Sequence, residues 1–478
     1  MMTGRSKRLI EGLTALCLAV VLAGCSAAAP AVTQSENAAV DETDTTKETG
    51  SEASTDSADE KTADDAVAGT SGAEDPAETG EASGLADEAG EDSEPEKDES
   101  EAENDPILKG IVTRSHPEGE AYEFTKSMGA GWNLGNTFDA YMDTGLSDEM
   151  ETETCWHGVR TTEAAIRGIK DAGFSTIRIP VSWHNHVSGP DHTISEQWMD
   201  RVNEVVDWSL DAGLKVIINI HHDNHPEANG YYPDKAHLEQ SKKYVGDIWK
   251  QVAQRFKDYG DDLIFESLNE PRLVGHESEW WFPVDSPPDD VREAVECINE
   301  LNQLFLDTVR GVEGSHRTCY VLCPGYDASP DGVCVEGFEK PMDAEDIENR
   351  VLLSVHAYTP YEFALNQSGT DVFRPSDTSD TNDIKAFMNK LYSRYINKGT
   401  PVVITEFGAL DKKGNLESRC DYAAWYTAFA SALGIPCIWW DNNNFAGSGE
   451  IFGIYDREKC EFTLPEIKDR LIKYSIKP

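Results

Sequence analysis

The sequence predicts an α/β protein in which a single (β/α)8 TIM barrel is preceded by a disordered acidic linker. Beyond residue 120, eight short apolar runs alternate with amphipathic stretches, and several of those stretches end at a glycine just before the next run. Strands that are apolar throughout and separated by helices indicate a parallel sheet that is covered on both faces. Eight such units within about 350 residues fit one barrel better than two doubly wound domains.

Residues 1–25 have the features of an export signal. A basic region is followed by a short apolar core that ends in a lipobox, and these are Arg5 to Arg8, Leu13 to Leu22 and Leu22-Ala23-Gly24-Cys25. The apolar core is too short for a good transmembrane helix. We therefore expect a lipid on Cys25 and an extracellular, cell-surface lipoprotein that meets the bacterial membrane only through this anchor. An ordinary cleavable secretory signal is the alternative.

Residues 26–105 form a low-complexity segment with a net charge of −23 and no Phe, Trp or Tyr. Such a composition cannot bury enough apolar surface to offset the entropy lost on ordering. We expect this segment to be a disordered tether, and residues 106–478 to be the folded catalytic domain.

The folded part carries a net charge of −26 over residues 106–478. Binding to nucleic acid requires Lys and Arg to neutralise phosphates, so this charge argues against a nucleic-acid partner and suits a neutral substrate. Eight of the ten cysteines lie in this part and form no CxxC pair, which favours buried thiols over a disulfide framework. We expect a monomer.

The predicted strands are "GAGWNLG" (129–135), "STIRIPV" (175–181), "LKVIINIHH" (214–222), "LIFESLNE" (263–270), "CYVLCPG" (319–325), "VLLSVHAY" (351–358), "PVVITEFGA" (401–409) and "PCIWWDN" (436–442). Apolar residues at 3–4 spacing predict a helix over 291–309, and Ser195 is the expected N-cap of another helix. The stretch between 325 and 351 has the weakest helical pattern.

Polar and aromatic residues cluster at the ends of these strands, where the active site of such a barrel lies. The residues concerned are Arg178 on the second strand, His221 and His222 on the third, Asn269 and Glu270 on the fourth, His356 and Tyr358 on the sixth, Glu406 on the seventh, and Trp439 and Trp440 on the eighth. Two glutamates at strand ends suit glycoside hydrolysis, which needs one proton donor and one anionic nucleophile or base.

Seven blocks of the sequence resemble glycoside hydrolase family 5. "LIFESLNEPR" is similar to the signature of that family, and "GWNLGNTFDA", "IRIPVSW", "VIINIHHD", "SVHAYTPY", "VVITEFGA" and "WWDN" resemble the accompanying blocks in order. The resemblance covers residues from about 120 to 478. It points to the endoglucanases of anaerobic bacteria, a branch with cellulase, lichenase and xyloglucanase activities.

The resemblance implies that Glu270 is the acid/base and Glu406 the nucleophile of a retaining mechanism, with their carboxyl groups about 5–5.5 Å apart. Arg178 and Tyr358 would keep Glu406 ionised. Because Glu270 must be protonated before turnover, we expect it to have the higher pKa of the two glutamates.

Other residues of these blocks would bind the sugar. Asn269 would hydrogen-bond the 2-hydroxyl group, and Trp440 would stack on the sugar just before the scissile bond. The remaining residues would line the cleavage site, and they are His221, His222 and His356.

The expected function is therefore that of a retaining endo-β-1,4-glucanase acting on cellulose and mixed-linkage glucan, with xyloglucan as a further candidate substrate. One alternative is a mannanase or xylanase on the same barrel. Another is a non-catalytic carbohydrate-binding lipoprotein, although binding alone would not require both glutamates.

We expect no cofactor and no metal. The "HHDNH" stretch (221–225) lacks the His-Glu-x-x-His helix of zinc enzymes, and Ala446 stands where a calcium loop requires Gly. The aromatic residues of the loop 275–290 would either pack on the barrel or form sugar platforms, and the sequence leaves both open.

Overall fold

The structure is a computed structural model that describes residues 104–142, 144–447 and 449–478. The predicted signal, the lipidation site Cys25 and nearly all of the predicted linker lie outside the described residues. The last linker residue, Asp105, belongs with the folded domain. Its carboxylate accepts hydrogen bonds from Lys473 Nζ and from the Tyr474 hydroxyl, each at 2.7 Å.

Eight parallel strands close into a barrel in which each strand pairs with the next and the last pairs with the first. They are β1 (Ala130–Leu134), β2 (Thr176–Ile179), β3 (Lys215–Asn219), β4 (Leu263–Glu266), β5 (Val321–Pro324), β6 (Val351–His356), β7 (Val402–Phe407) and β8 (Cys437–Asp441). All eight predicted strands are present. The predicted barrel is confirmed.

The main helices are α1 (Glu120–Ser127), α2 (Glu163–Asp171), α3 (Glu196–Asp211), α4 (Leu238–Arg255), α5 (Asp289–Arg310), α6 (Thr378–Arg394), α7 (Leu416–Ala432) and α8 (Pro465–Tyr474), with a four-residue helix at Tyr361–Ala364. Two short hairpins pair Val187–Ser188 with Thr193–Ile194 and Tyr455–Asp456 with Glu461–Phe462. The helix predicted over 291–309 is confirmed as α5. Ser195 caps α3 as predicted, since its side chain accepts a hydrogen bond from Trp198 N.

β5 is followed by a loop instead of an α-helix. The described residues 325–350 contain only a short 3-10 turn, at Tyr326–Ala328. The chain folds back on itself here. A Cβ atom at Gly325 would lie 2.4 Å from the backbone of Gly332, so this close approach requires glycine. The weak helical pattern of the sequence reflects this loop.

The inside of the barrel is apolar at the bottom and polar at the mouth. Helix α1 closes the bottom with Ala121, Phe124 and Met128, which pack with residues that point inward from the strands, among them Ile217, Ile264, Leu322, Leu352, Val403 and Ile438. Pro478 also lies at this end, because a Cβ atom at Gly129, just before β1, would be 3.1 Å from its ring. The polar residues therefore gather at the opposite end.

All eight cysteines of the described residues are free, and six of them are buried. This confirms the prediction of buried thiols. Among the helices that the structure describes, none is long and apolar enough to cross a membrane.

Candidate active site

The two predicted glutamates meet at the C-terminal mouth of the barrel. Glu406 lies within β7, and Glu270 follows β4 by four residues. A carboxylate oxygen of each residue and a ring nitrogen of His356 all lie within 4.8 Å of one another. This spacing matches retaining glycosidases, whose carboxyl groups are about 5–5.5 Å apart, and is shorter than the roughly 6.5–9.5 Å of inverting enzymes.

Both oxygens of Glu406 accept hydrogen bonds from predicted partners. Arg178 Nη1 lies 2.6 Å from Oε1, and the Tyr358 hydroxyl donates to Oε2 at 2.9 Å. The carboxylate is almost wholly buried. Its orientation is therefore fixed before a substrate arrives.

Beneath Glu406 lies a buried layer that we call the polar floor, consisting of Arg178, Glu266, Asn133, Asn219 and Ser354. Arg178 donates to Glu266 Oε2 at 2.7 Å and to Asn133 Oδ1 at 3.0 Å. Glu266 also accepts hydrogen bonds from Asn219 at 2.9 Å and from Ser354 at 2.6 Å. Arg178 is thereby held between two carboxylates.

Glu266 was missed from the sequence. It lies inside β4 and is fully buried. A signal for it existed, since a carboxylate within an apolar strand requires a buried cation, and Arg178 is an arginine within the second predicted strand.

Asn269 and Glu270 are positioned by different partners. Asn269 Oδ1 accepts a hydrogen bond from Arg178 Nη2 at 2.7 Å. Glu270 Oε1 lies 2.8 Å from His356 Nδ1, and Arg272 Nη1 lies 3.0 Å from the Glu270 carbonyl oxygen and 3.4 Å from Oε2. Arg272 is a second residue that sequence reasoning missed, although it directly follows the Asn-Glu-Pro motif.

The family model described as Cellulase (glycosyl hydrolase family 5) matches residues 140–446. The chain belongs to glycoside hydrolase family 5. It is 38% identical to Endoglucanase A of Ruminococcus albus over 74% of this chain and 92% of that protein.

Solved structures of the family are also similar. A family 5 lichenase from a Caldicellulosiruptor species has a TM-score of 0.74 and 50% identity, and the match covers 76% of this chain and 97% of that one. A broad-specificity endoglucanase from Ruminococcus champanellensis with bound cellotriose has a TM-score of 0.68 and 36% identity, over 75% of this chain and all of that one, 100%.

In this family 5 site, the expected order of the glutamate pKa values is wrong for the free protein. Burial would raise the pKa of Glu270, but the hydrogen bond and charge of His356, together with the charge of Arg272, lower it to about 2. Burial raises the pKa of Glu406 above its ordinary value, although His356 and Arg178 oppose this. The sequence argument considered Arg178 and Tyr358 but not the cations that face Glu270.

His356 is the residue that links the two glutamates. Its Nδ1 contacts Glu270, and its Nε2 lies 3.7 Å from Glu406 Oε1. Burial would lower the pKa of His356, but the charge of Glu406 and the hydrogen bond to Glu270 raise it. In the free site, the proton of the Glu270–His356 pair therefore resides on the imidazole.

The other predicted sugar-contacting residues lie around this centre. The His221 ring is parallel to the Trp440 indole within 2°, with ring centroids 6.0 Å apart. Gly135 makes room for Trp440, since a Cβ atom there would be 2.7 Å from its ring. Burial lowers the pKa of His221 and lowers that of His222 to about 4, so both imidazoles are neutral near pH 7.

One further cluster has the donor types of a metal site. Ligand atoms of Asp139, His221 and His222 lie within 4.8 Å of one another. The Asp139 carboxylate already accepts hydrogen bonds from the backbone N–H groups of Asn136 at 2.9 Å and Thr137 at 2.7 Å. These bonds tie it to the loop that follows β1, and burial nevertheless raises the pKa of Asp139 to about 7.

Residues 273–288, the last part of the segment between β4 and α5, are called the rim loop. Of its three adjacent aromatic residues, Phe282 is buried and packs edge-on against Tyr326, with ring centroids 5.3 Å apart. Trp280 and Trp281 are exposed. Phe282 therefore packs on the barrel, whereas a platform role for the two exposed tryptophans stays a prediction.

Proposed function

We propose that this protein is a retaining endo-β-1,4-glucanase that cleaves neutral β-1,4-glucans internally. The observation that carries this proposal is the approach of the Glu270 and Glu406 oxygens to within 4.8 Å at the barrel mouth. The endoglucanases and the lichenase to which the chain is similar support cellulose and mixed-linkage glucan as substrates, with xyloglucan as a further candidate.

In the first step, Glu406 attacks the anomeric carbon while Glu270 gives a proton to the glycosidic oxygen. The bond from carbon to that oxygen breaks, and a covalent glycosyl-enzyme forms on Glu406. In the second step, Glu270 takes a proton from water, whose oxygen attacks the anomeric carbon and releases Glu406. Two inversions retain the configuration.

The surrounding residues act on these two steps through hydrogen bonds. Because Asn269 Oδ1 accepts from Arg178, its Nδ2 group is left as the donor for the sugar 2-hydroxyl. Arg178 and Tyr358 stabilise Glu406 as the leaving carboxylate of the second step. His356 supplies the proton that Glu270 needs, through their 2.8 Å contact.

Azide rescue of two variants tests these roles. Glu270→Ala should still form the glycosyl-enzyme from an activated aryl cellobioside, and azide should then give a β-glycosyl azide. Glu406→Ala cannot form that intermediate, so direct attack by azide should give the α-product. Identical product stereochemistry from the two variants, or inversion by the wild type, would contradict the assignment.

The alternatives of a mannanase or xylanase are tested by the products from cellulose, mixed-linkage glucan, xyloglucan, mannan and xylan. We expect the glucans to be cleaved fastest and uronic-acid polymers hardly at all. Arg178 and Arg272, the arginines beside the glutamates, are both paired with carboxylates, which supports this expectation. A non-catalytic lipoprotein would release no product.

We also propose that the protein acts as a monomer held at the cell surface by a lipid on Cys25. The Leu22-Ala23-Gly24-Cys25 sequence supports the anchor. Cys25→Ser should move the protein from the membrane fraction to the medium without loss of specific activity. A wild-type protein already free in the medium, with an N-terminus beyond Cys25, would contradict the anchor.

A further inference from the structure

The loop after β5 is fastened to the chain just beyond the proposed acid/base. The backbone N–H of Asp327 donates to the Pro271 carbonyl at 2.8 Å. The Tyr326 hydroxyl accepts a hydrogen bond from Leu273 N at 3.2 Å and donates one to the Ser278 carbonyl at 2.7 Å. Two adjacent residues of one loop thus hold the segment that leads away from the catalytic strand.

Asp327 has a backbone conformation that is uncommon for residues other than glycine. Its φ is 56° and its ψ is 20°, in the left-handed region, and the φ of Ala328 is 46°. Non-glycine residues in this region cost conformational free energy, and they are concentrated at functional sites. Two of them in succession, fastened to the catalytic segment, therefore call for a functional explanation.

The Asp327 carboxylate lies close to charged groups but is poorly hydrogen-bonded. Its Oδ1 is 4.0 Å from Arg272 Nε, and this buried oxygen has no hydrogen-bond partner among the residues that the structure describes. Burial and the charge of Glu270 raise the pKa of Asp327 well above its ordinary value, Glu279 adds to this, and Arg272 opposes it. What compensates this carboxylate is therefore the charge of Arg272.

Arg272 is the common neighbour of three carboxylates. Its Nη1 lies 3.4 Å from Glu270 Oε2, and its Nε lies 3.2 Å from Glu279 Oε1. An uncompensated guanidinium would stabilise the ionised form of Glu270, whereas cleavage of a glycosidic bond needs the protonated form. The carboxylates of Glu279 and Asp327 offset that positive charge.

Other charged and titratable groups also face these residues. Asp327 is faced by Glu270, Arg272 and Glu279 from the segment after β4 and by Tyr326 beside it. The Glu270–His356 pair is further faced by Arg178 of β2, by His221, His222 and Tyr231 after β3, by Tyr358 after β6, by Glu406 of β7 and by Glu450 after β8. A substitution at Asp327 leaves all of these groups in place, so it isolates one charge.

We propose that Asp327 is a positioning residue for the acid/base, whose carboxylate counterbalances Arg272 and so keeps a proton on the Glu270–His356 pair up to higher pH. The inference rests on the proposed function and deepens it. As the pH rises, Asp327 loses its own proton, and the new negative charge then opposes loss of the proton from the pair. The acid/base thus stays protonated over a wider range of pH.

The test is the pH profile of Asp327→Asn. Asn matches the shape of Asp and also tolerates the left-handed conformation, but it carries no charge. We expect the basic limb of kcat/KM for cellopentaose to move to lower pH by about one unit, the size of effect that one charge a few ångströms away produces in a protein. A loss of rate that is equal at every pH would show that Asp327 only supports the fold, and would overturn the inference.

Two further variants separate the charge from the fold. Asp327→Gly also lacks the carboxylate and adopts the left-handed conformation without strain, so it should move the basic limb in the same direction as Asp327→Asn. Asp331→Asn is the matched control, because Asp331 lies in the same loop but pairs with Lys390 at 3.0 Å on the surface. It should leave the basic limb in place.

An unmoved basic limb in both Asp327 variants would overturn the inference, and so would an equal movement in Asp331→Asn. Failure of the wild type to hydrolyse any β-1,4-glucan would instead overturn the proposed function. The two failures are therefore distinguishable.

Discussion

Glu406 and Glu270 are held by different surroundings, one buried inside the barrel and the other partly exposed at its rim. Glu406 rests on the polar floor, where Arg178 and Glu266 are completely buried and every contact lies within the barrel. Glu270 stands at the rim, is 20% exposed, and is held by His356 and by Arg272, whose other face meets the rim loop.

The difference assigns separate tasks to the two regions. A buried floor fixes the geometry of Glu406, because its members are joined to one another by buried ion pairs and hydrogen bonds. Because Glu270 at the rim is partly exposed, a bound substrate can change its surroundings and therefore its protonation. Changes at the floor should therefore abolish or slow all reactions, whereas changes at the rim should alter pH dependence and substrate preference.

Removing Glu406, the proposed nucleophile, should have the largest effect. Glu406→Ala should lower kcat by about 10⁴-fold or more on every substrate, because loss of a nucleophile removes the covalent route. Glu270→Ala should lose about 10²-fold on an activated aryl cellobioside, which needs little proton donation. Steady-state kinetics on that substrate measure both losses of kcat. Equal losses for the two variants would contradict the proposed difference between Glu406 and Glu270.

Glu266→Gln tests whether the floor positions Arg178. We expect kcat to fall about 10²-fold and the free energy of unfolding to fall by about 3 kcal/mol, because the buried guanidinium of Arg178 loses one of its two carboxylate partners. Chemical denaturation and kcat measure the two effects.

The matched control for this variant is Glu153→Gln. Glu153 is equally buried and pairs at 2.7 Å with Arg201 of α3, away from the barrel mouth. It should lose similar stability with little change in kcat. A floor without a role in catalysis would give the same result for both variants.

Tyr358→Phe should have a smaller effect. It removes one hydrogen bond of 2.9 Å to Glu406, and a hydrogen bond to a charged group contributes about 1.5–3 kcal/mol, so kcat/KM should fall at least about tenfold. Tyr426→Phe is the control, since its hydroxyl donates to the Ala357 carbonyl at 2.9 Å and not to a glutamate. Equal losses would assign Tyr358 a structural role.

His356→Gln should mainly change the pH profile. The pKa of His356 is raised, so in the wild type the proton of its pair with Glu270 is lost only above the ordinary imidazole range. Without the imidazole, the proton is held by the Glu270 carboxyl alone and is lost at lower pH. The basic limb of kcat/KM against pH should therefore move to lower pH, and an unmoved limb would show that His356 does not hold the proton.

Much of the barrel could be predicted because its signal is local. Apolar runs mark all eight strands, although the paired segments are shorter than the runs; the third run covers 214–222, whereas β3 spans Lys215–Asn219. Single backbone hydrogen bonds continue past the end of β3, since His221 N donates to the Val181 carbonyl at 2.9 Å, but the regular strand pairing ends at Asn219. The loop after β5 was visible only as a weak helical pattern.

The candidate site was predicted from motifs at the ends of strands, and the structure brings the predicted residues together at one mouth. Trp439 is the exception, since it is buried in the core and packs edge-on against Phe407. The residues that the sequence did not reveal can be recognised only from the contacts they make in the folded chain. Glu266 faces Arg178 across the barrel interior, and Arg272 approaches Glu270 through a turn of the chain that no periodicity encodes. For the same reason, the order of the two glutamate pKa values could not be obtained from the sequence.

The contact of Asp105 with the end of α8 has a mechanical consequence. Lys473 and Tyr474 hold this carboxylate at the closed end of the barrel, where α1 and Pro478 also lie. Tension applied through the preceding chain would first load these hydrogen bonds, at the end opposite the mouth. A pull along the chain would therefore strain the base of the barrel and leave the spacing of the two glutamates unchanged.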